Sequence, residues 1–118
     1  MRQNEPLYVI SVAARLLELH PQTLRKYERE GFVSPSRTTG NLRLYSVDDI
    51  ERLRQVKHLV EDRGINLSGV QLAMDVTRRL RRLRRECVQR PERVAARLDV
   101  VVDELDVLLQ MLGAIPED

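Results

Sequence analysis

The sequence predicts a mainly α-helical protein: two short helices with a tight break, one small β-hairpin, then longer helices ending in a heptad seam. Three observations carry this. Apolar residues recur at spacings of three and four, bracketed by Ser or Pro at starts and Gly at stops. One segment, at about 34–45, combines turn residues with strand formers. Near the end, Val94, Leu98, Val101, Leu105, Leu108 and Leu112 repeat at 4-3-4-3-4. The layout is a winged helix-turn-helix with a small β-hairpin wing, followed by a C-terminal helix whose heptad seam needs a partner.

The first helix is expected at about 11–18, with Ser11 as its N-cap and Val12, Ala13 and Leu16 at helical spacing. After a break of three to four residues, Pro21 suits the first position of a second helix, with His20 just outside it. Leu24 and Tyr27 share one face there, and Gly31 ends it. A hairpin at about 34–45 follows, its tip at Thr38–Asn41. Ser46 then caps a helix with Asp48 and Asp49 in its first turn, where the helix dipole favours acids. Ile50, Leu53, Val56, Leu59 and Val60 give that helix an apolar stripe to about 62, and Gly64 closes it. Ser68 is the expected cap of a fourth helix, which Pro91 interrupts near residue 90. A last helix is expected over 91–112, ended by Gly113 and Pro116. Its seam spans under three heptads, too short to stand alone in water, so it needs a partner; a second copy of the chain is the simplest supplier.

Composition narrows the function classes. Aromatics are 3% of the chain and Trp is absent, so the core must be aliphatic. No apolar run reaches the length of a membrane span, and the start, MRQNEP, lacks a signal-peptide pattern, so a cytoplasmic protein that does not enter a membrane is expected. The single cysteine, Cys87, excludes an intramolecular disulfide framework. With two histidines, one cysteine, no glycine-rich phosphate loop and no HExxH or CxxC, no catalytic residue, metal site or cofactor is expected. Charge is unevenly spread: 11 basic against 9 acidic residues over 1–66, 7 against 2 over 67–90, and 2 against 7 over 91–118. Such asymmetry calls for an electrostatic partner, outside the molecule or in a second copy.

The sharper signal is the helix-turn-helix. Its second helix presents Gln22, Thr23, Arg25, Lys26 and Arg29 away from the Leu24/Tyr27 face. Gln can pair with adenine and Arg with guanine in the major groove, and first-turn residues usually meet the base edges. Composition alone would equally suit a solvated basic face. The hairpin favours DNA, because Arg37 and Arg43 flank a small polar tip, as a wing that grips phosphate requires.

The stretch YVISVAARLLELHPQTLRKYEREGFVSPSRTTGNLRLYSVDDIERLRQVKHLV resembles the DNA-binding domain of MerR-type regulators. The matching pieces are VAARL, TLRKYEREG, the P-S-R-T wing with its G-N-L-R-L-Y return, and D-D-I-E-R-L, over about residues 8–76. HPQTLR and GINLSGV are similar to the heat-shock repressors of the HspR type. The resemblance implies a homodimer joined by its C-terminal dimerisation helix in an antiparallel coiled coil and bound to an inverted repeat in double-stranded DNA, repression of chaperone operons, and the DnaK chaperone as co-repressor. It implies a DNA-contact set of Ser11, Gln22, Thr23, Arg25, Lys26, Tyr27, Arg29, Arg37, Thr38, Asn41, Arg43 and Tyr45. The expected organisation is a DNA-binding domain over 1–76, a basic connector over 77–90, and a dimerisation helix and tail over 91–118. Two departures stand out. Many relatives carry a second basic or aromatic residue after the wing glycine, where this chain has Asn41-Leu42. Metal-sensing relatives have several cysteines near the dimer helix, where this chain has Cys87 at a seam-like position after Leu80 and Leu83, expected to be a buried thiol.

Six arginines fall between Arg78 and Arg85. With Leu80 and Leu83 inward they could be a solvated face, a phosphate contact, or one side of a charged contact with Asp99, Asp103, Glu104 and Asp106 of a second copy. The third reading is favoured. The alternatives to a repressor are an architectural or excisionase-like DNA protein, a MerR-type regulator that answers another signal, and an adaptor whose basic face meets an acidic partner.

Overall fold

In the computed structural model, which describes residues 4–114, the chain forms two compact units, Met1–Val70 and Gln71–Asp118. No helix among the described residues is long and apolar enough to cross a membrane.

The first unit is built on helix α1 (Ile10–Leu17), helix α2 (Pro21–Arg29) and helix α3 (Val47–Lys57) around a small antiparallel sheet. Strand β3 (Arg43–Tyr45) lies at its centre, between β1 (Tyr8–Val9) and β2 (Ser36–Arg37). Tyr8 pairs with Tyr45 and Val9 with Leu44, while Ser36 pairs with Leu44 and Arg37 with Arg43. The β2–β3 hairpin is the expected wing. Strand β1 was not foreseen: two residues carry no alternation to read.

Because β1 runs straight into α1, extended Val9, not Ser11, is the residue that precedes the helix. Ser11 sits one residue inside and is exposed. At its other end α1 closes on Glu18 in the left-handed region, φ 54°, where glycine is usual. Lys57 of α3 reaches across to donate to the Leu17 carbonyl at 2.7 Å, satisfying one of the open carbonyls there.

Helix α2 is capped as its sequence suggests. His20 Nδ1 accepts from the Gln22 amide at 3.0 Å, and Pro21 opens the helix. At the C-terminus Gly31, at φ 82°, lets its own N–H reach the Glu28 carbonyl and that of Phe32 reach the Tyr27 carbonyl. This is a Schellman closure, with the Phe32 ring 6.0 Å from that of Tyr27. Helix α3 begins with the full capping box: Ser46 Oγ accepts from the Asp49 amide, and Asp49 accepts from the Ser46 amide. The core comprises Ala13, Leu17, Leu24, Tyr27, Phe32, Val33, Tyr45, Ile50, Leu53, Val56 and Val70, aliphatic for the most part.

After Lys57 the ladder widens to a π-helical turn, His58–Asp62, where α-helix was expected, and Gly64 at φ 66° ends it. Helix α4 (Leu67–Gln89) starts one residue before the expected cap Ser68. Asn66 does the capping, its Oδ1 accepting from the Gly69 amide at 2.8 Å. Position 69 has no room for a side chain: a Cβ there would lie 2.5 Å from Ile65 Cγ2.

The second unit holds most of α4, helix α5 (Pro91–Ala96) and helix α6 (Leu98–Met111). One helix was expected over 91–112; it breaks at Arg97, whose backbone leaves the helical region at φ −133°, ψ 53°. Arg97 then lies against Asp99 in the first turn of α6, Nη2 to Oδ2 at 3.0 Å. The hydrogen bond to Arg97 holds the Asp99 carboxyl below its ordinary range. Gly113, at φ 77°, closes α6 as expected; the expected stop at Pro116 lies outside the described residues.

The six-residue seam divides between two faces. Leu108 is buried and Val94 and Val101 are half-buried, whereas Leu98, Leu105 and Leu112 are 60%, 42% and 58% exposed. Val102 and Leu109 join the exposed set, so Leu98, Val102, Leu105, Leu109 and Leu112 form an outward stripe at 4-3-4-3. On α4 the inward face is also displaced from the leucines. Arg79, Arg82, Leu83 and Glu86 line a groove of about 380 Å³ facing α5 and α6, with Val94, Val100 and Val101 opposite. Leu80 is half exposed and Cys87 exposed, so neither the inward Leu80 nor the buried thiol is found. The face Arg79–Leu83–Glu86 lies one residue off the Leu80–Leu83–Cys87 stripe.

Candidate nucleic-acid interface

Burial sets the rotation of α2. Leu24 is fully buried and Tyr27 nearly so, which turns Gln22, Lys26 and Arg29 to solvent and leaves Thr23 and Arg25 at the half-buried edge. The helix thus offers an amide and a lysine ammonium in its first turn and a half, with a guanidinium beside them. In general a guanidinium or ammonium can donate to guanine O6/N7 or phosphate, and a glutamine amide can pair with adenine. Ser11 is exposed in the first turn of α1.

The wing is shaped by its own side chains. The Thr38 amide donates to the Leu42 carbonyl, and the Asn41 amide to the Thr38 carbonyl, both at 2.9 Å. Asn41 takes the left-handed position, φ 64°, of a three-residue hairpin loop. Thr38 Oγ1 accepts from the Leu42 amide at 3.1 Å. Thr38 and Asn41 therefore build the turn whatever they touch outside it. At the tip Leu42 is 49% exposed, an apolar side chain between two arginines.

The two wing arginines are not loose. Glu28, on α2, receives both: Arg37 Nη2 donates to Oε1 at 2.9 Å and Arg43 Nε to Oε2 at 2.6 Å. Arg37 also points Nη1 at the Asn41 carbonyl and Oδ1, at 3.4 and 3.5 Å. Sequence reading passed over Glu28. The available signal was a single acid within the basic run LRKYER, facing a hairpin with two arginines.

Tyr27 and Tyr45, expected among the DNA contacts, are core residues at 4% and 0% exposure. Tyr45 is the sharper case: its hydroxyl is enclosed and has no hydrogen-bond partner among the described residues. Strand β3 is the central strand of the sheet, paired with β1 on one edge and β2 on the other, and it also packs against α1 and α3. Burial raises the Tyr45 pKa above its ordinary 10.0, and the nearby Glu28 carboxylate adds to the rise.

The arginine run of α4 is partly committed within its own unit. Arg78 pairs with Asp75 one turn earlier, and Arg79 Nη1 reaches Glu104 Oε1 of α6 at 3.3 Å. Two of the acids expected to serve a second copy, Asp99 and Glu104, are thus engaged by Arg97 and Arg79 of their own chain. Among the described residues no group of three or more His, Cys, Asp or Glu gathers as a metal ion would need.

Replacing Tyr45 by Phe removes an unpartnered buried hydroxyl, whose burial costs about 1–3 kcal/mol. The melting temperature at pH 7 should hold or rise, and DNA affinity should not fall. A raised tyrosine pKa stabilises the fold fully below pH 10 and loses that contribution as pH climbs through the folded-state value. The variant should therefore lose less stability than the parent between pH 9 and about 11. Thermal melts across that range check this, and a drop of several degrees at pH 7 would show that the hydroxyl is satisfied after all.

Comparison with known proteins places this geometry. The model of the MerR HTH family of regulatory proteins matches residues 8–77. A Streptomyces coelicolor protein named for heat shock, HspR, is 48% identical over 99 residues, which are 84% of this chain and 63% of that protein. That match is longer than the family model's and so runs beyond the helix-turn-helix. The transcriptional regulator GlnR of Bacillus anthracis is 39% identical over 69 residues, 58% of this chain and 53% of its own. The chain thus spans less than two thirds of these relatives. Among solved structures, HiNmlR, a MerR family regulator lacking the sensor domain and bound to promoter DNA, aligns with TM-score 0.53 at 20% identity, covering 90% of this chain and 87% of that one. A MerR family regulator from Bacillus cereus gives the same score at 23% identity, and at such identities the likeness is one of fold. With the capped recognition helix, the three-stranded wing sheet and the family match over residues 8–77 in agreement, the chain belongs to the MerR helix-turn-helix family of regulatory proteins.

Proposed function

We propose that the chain is a dimeric, sequence-specific transcriptional repressor of heat-shock and chaperone genes, acting on DNA in the cytoplasm rather than as an enzyme. The observation that carries the reading is the 48% identity to HspR over 84% of the chain, which reaches past the DNA-binding part that all MerR relatives share. Helix α2 enters the major groove with Gln22, Thr23, Arg25, Lys26 and Arg29. The wing lies on the flanking backbone through Arg37 and Arg43, with Thr38 and Asn41 at its tip, and Ser11 meets a phosphate. An inverted repeat is the matching operator, because two copies related by a two-fold axis present two such helices.

The outward stripe of α6 supports the dimer. Leu98, Val102, Leu105, Leu109 and Leu112 are apolar, exposed and at coiled-coil spacing. Val94, Val101 and Leu108, expected in the same seam, serve the inner face. Asp103 and Asp106 make no direct ion pair among the described residues, nor do Arg81, Arg82, Arg84 and Arg85. An antiparallel pairing can bring these acids toward Arg81, Arg82 and Arg85 of the second copy, at about 0.2–1 kcal/mol for each exposed pair. A role for DnaK as co-repressor follows from the HspR likeness alone.

Four experiments test the reading. Selection of bound sequences from a random duplex library should return an inverted repeat. Arg25→Ala should cost about 1–3 kcal/mol on that operator and relax one position in each half-site, whereas an even loss on all sequences would make Arg25 a phosphate contact. Failure to enrich any sequence favours the architectural alternative.

Leu105→Asp should yield a folded monomer with weakened operator binding, since each buried Leu in the seam contributes about 1.5–3 kcal/mol before ordering costs. Leu108→Asp should instead unfold the second unit. Sedimentation and circular dichroism separate the two, and a dimeric Leu105→Asp protein would remove α6 as the interface.

Purified protein should bind the operator weakly and tighten on addition of DnaK. Full affinity that DnaK leaves unaltered returns the signal to another source, such as temperature acting on the fold.

A further inference from the structure

Resting on the DNA-binding reading above, we infer that Glu28 is a specificity-determining, positioning residue: one carboxylate that holds both wing arginines and so limits sequence-independent attachment to DNA. Arg37 and Arg43 face each other directly across the β2–β3 pair. Like charges in that position push strands apart. Glu28 resolves the conflict from a third element, giving one oxygen to each guanidinium at 2.9 and 2.6 Å. The carboxylate is only 17% exposed, against 36% and 24% for its partners, so it lies beneath them while they face outward.

The bonding pattern matters as much as the charge. Arg43 is held through Nε, which leaves its two Nη groups unbonded to Glu28 on a side chain 24% exposed. Arg37 is held through Nη2 to Glu28 and through Nη1 to the wing tip. The cluster carries one net positive charge instead of two, and it is tied to the helix that holds Gln22, Arg25 and Lys26. Two loose cations would release counterions from any duplex and strengthen all binding alike. A fixed pair, set in register with α2, meets phosphate well only when that helix is seated on its bases. Glu28 thereby couples backbone contact to base reading.

The test uses the full chain, an operator duplex enriched by the unaltered protein, and a scrambled duplex of equal length, each titrated at several salt concentrations. Glu28→Gln keeps the size of the side chain and removes its charge. It should tighten binding to the scrambled duplex several-fold, steepen the salt slope there by about one, and lower the operator-to-scrambled ratio. The same substitution in an Arg37→Gln/Arg43→Gln background should leave the scrambled-duplex affinity where that background sets it. Equal changes on both duplexes, or the same gain without the two arginines, would overturn the role of Glu28. If Glu28→Gln fails to fold, Glu28→Asp decides. One methylene shorter, it cannot span both guanidiniums, so operator affinity should fall, and operator affinity equal to that of the unaltered protein would overturn the inference. Failure of the unaltered protein to enrich any operator overturns both this role and the DNA-reading assignment, whereas enrichment with an unchanged ratio in the variant overturns this role alone.

Discussion

The burial of Leu24 and Tyr27 is the constraint on which the DNA-facing surface depends. Helix α2 has nine residues, too few to persist by itself in water. It exists because its inner face is sealed into the first unit and its ends are closed by His20, Pro21 and the Gly31 turn. Two fully buried side chains of this size contribute about 1.5–3 kcal/mol each, more than the exposed ion pairs nearby can supply. The rotation of the helix about its axis is therefore decided by its apolar face. Which residues can meet a base follows from that rotation, and their chemistry comes second.

The wing obeys a different rule, because it has little apolar surface to bury. Its strands are two and three residues long, and a hairpin of that size is marginal alone. Position comes from three local devices. Pairing with β1 on the far side of β3 ties it to the start of α1, the Asn41 turn fixes its tip, and Glu28 fixes its basic edge to α2. Removing any one leaves two, which is how so short an element can hold its register while exposing cations.

Much of this was legible in the sequence, and the failures have physical causes. Helix starts and stops that rest on backbone chemistry were readable: Pro21, Gly31, Ser46 with Asp49, Gly64 and Gly113 act where their residue types imply. Failures occurred where two signals competed or where none exists. Ser11 and Ser68 are good caps by type, yet α1 follows directly on the strand residue Val9, and Asn66, an equally good cap two residues before Ser68, takes the start of α4. The break at Arg97 is marked by no Gly or Pro. Tyr45 sits within a wing motif, and its burial depends on elements distant in sequence, β1, α1 and α3, that meet β3 only in the fold. Glu28 left only a faint mark, a lone acid in a basic run, and its bridge from a helix to two strands becomes readable once the elements are placed.

The C-terminal helix shows how a pattern can be right in period and still ambiguous in partner. A two-per-heptad stripe usually serves one interface, but α6 is apolar at more positions than that. Val101 and Leu108, seven residues apart, together with Val94 on α5, face inward. Leu98, Leu105 and Leu112, also seven apart, face out, and Val102 and Leu109 complete the second stripe. The helix can therefore keep its contacts within the unit and still offer an unbroken apolar seam, with no rearrangement required to pair. The charges divide in the same way. Arg79 and Glu104 close the inner face, while among the described residues Asp106 and four of the α4 arginines make no ion pair, and Asp103 acts on Arg97 only at a distance. Hydrophobic phase separates the inward stripe from the outward one, and in the pairing proposed above the charges left over would set only its direction.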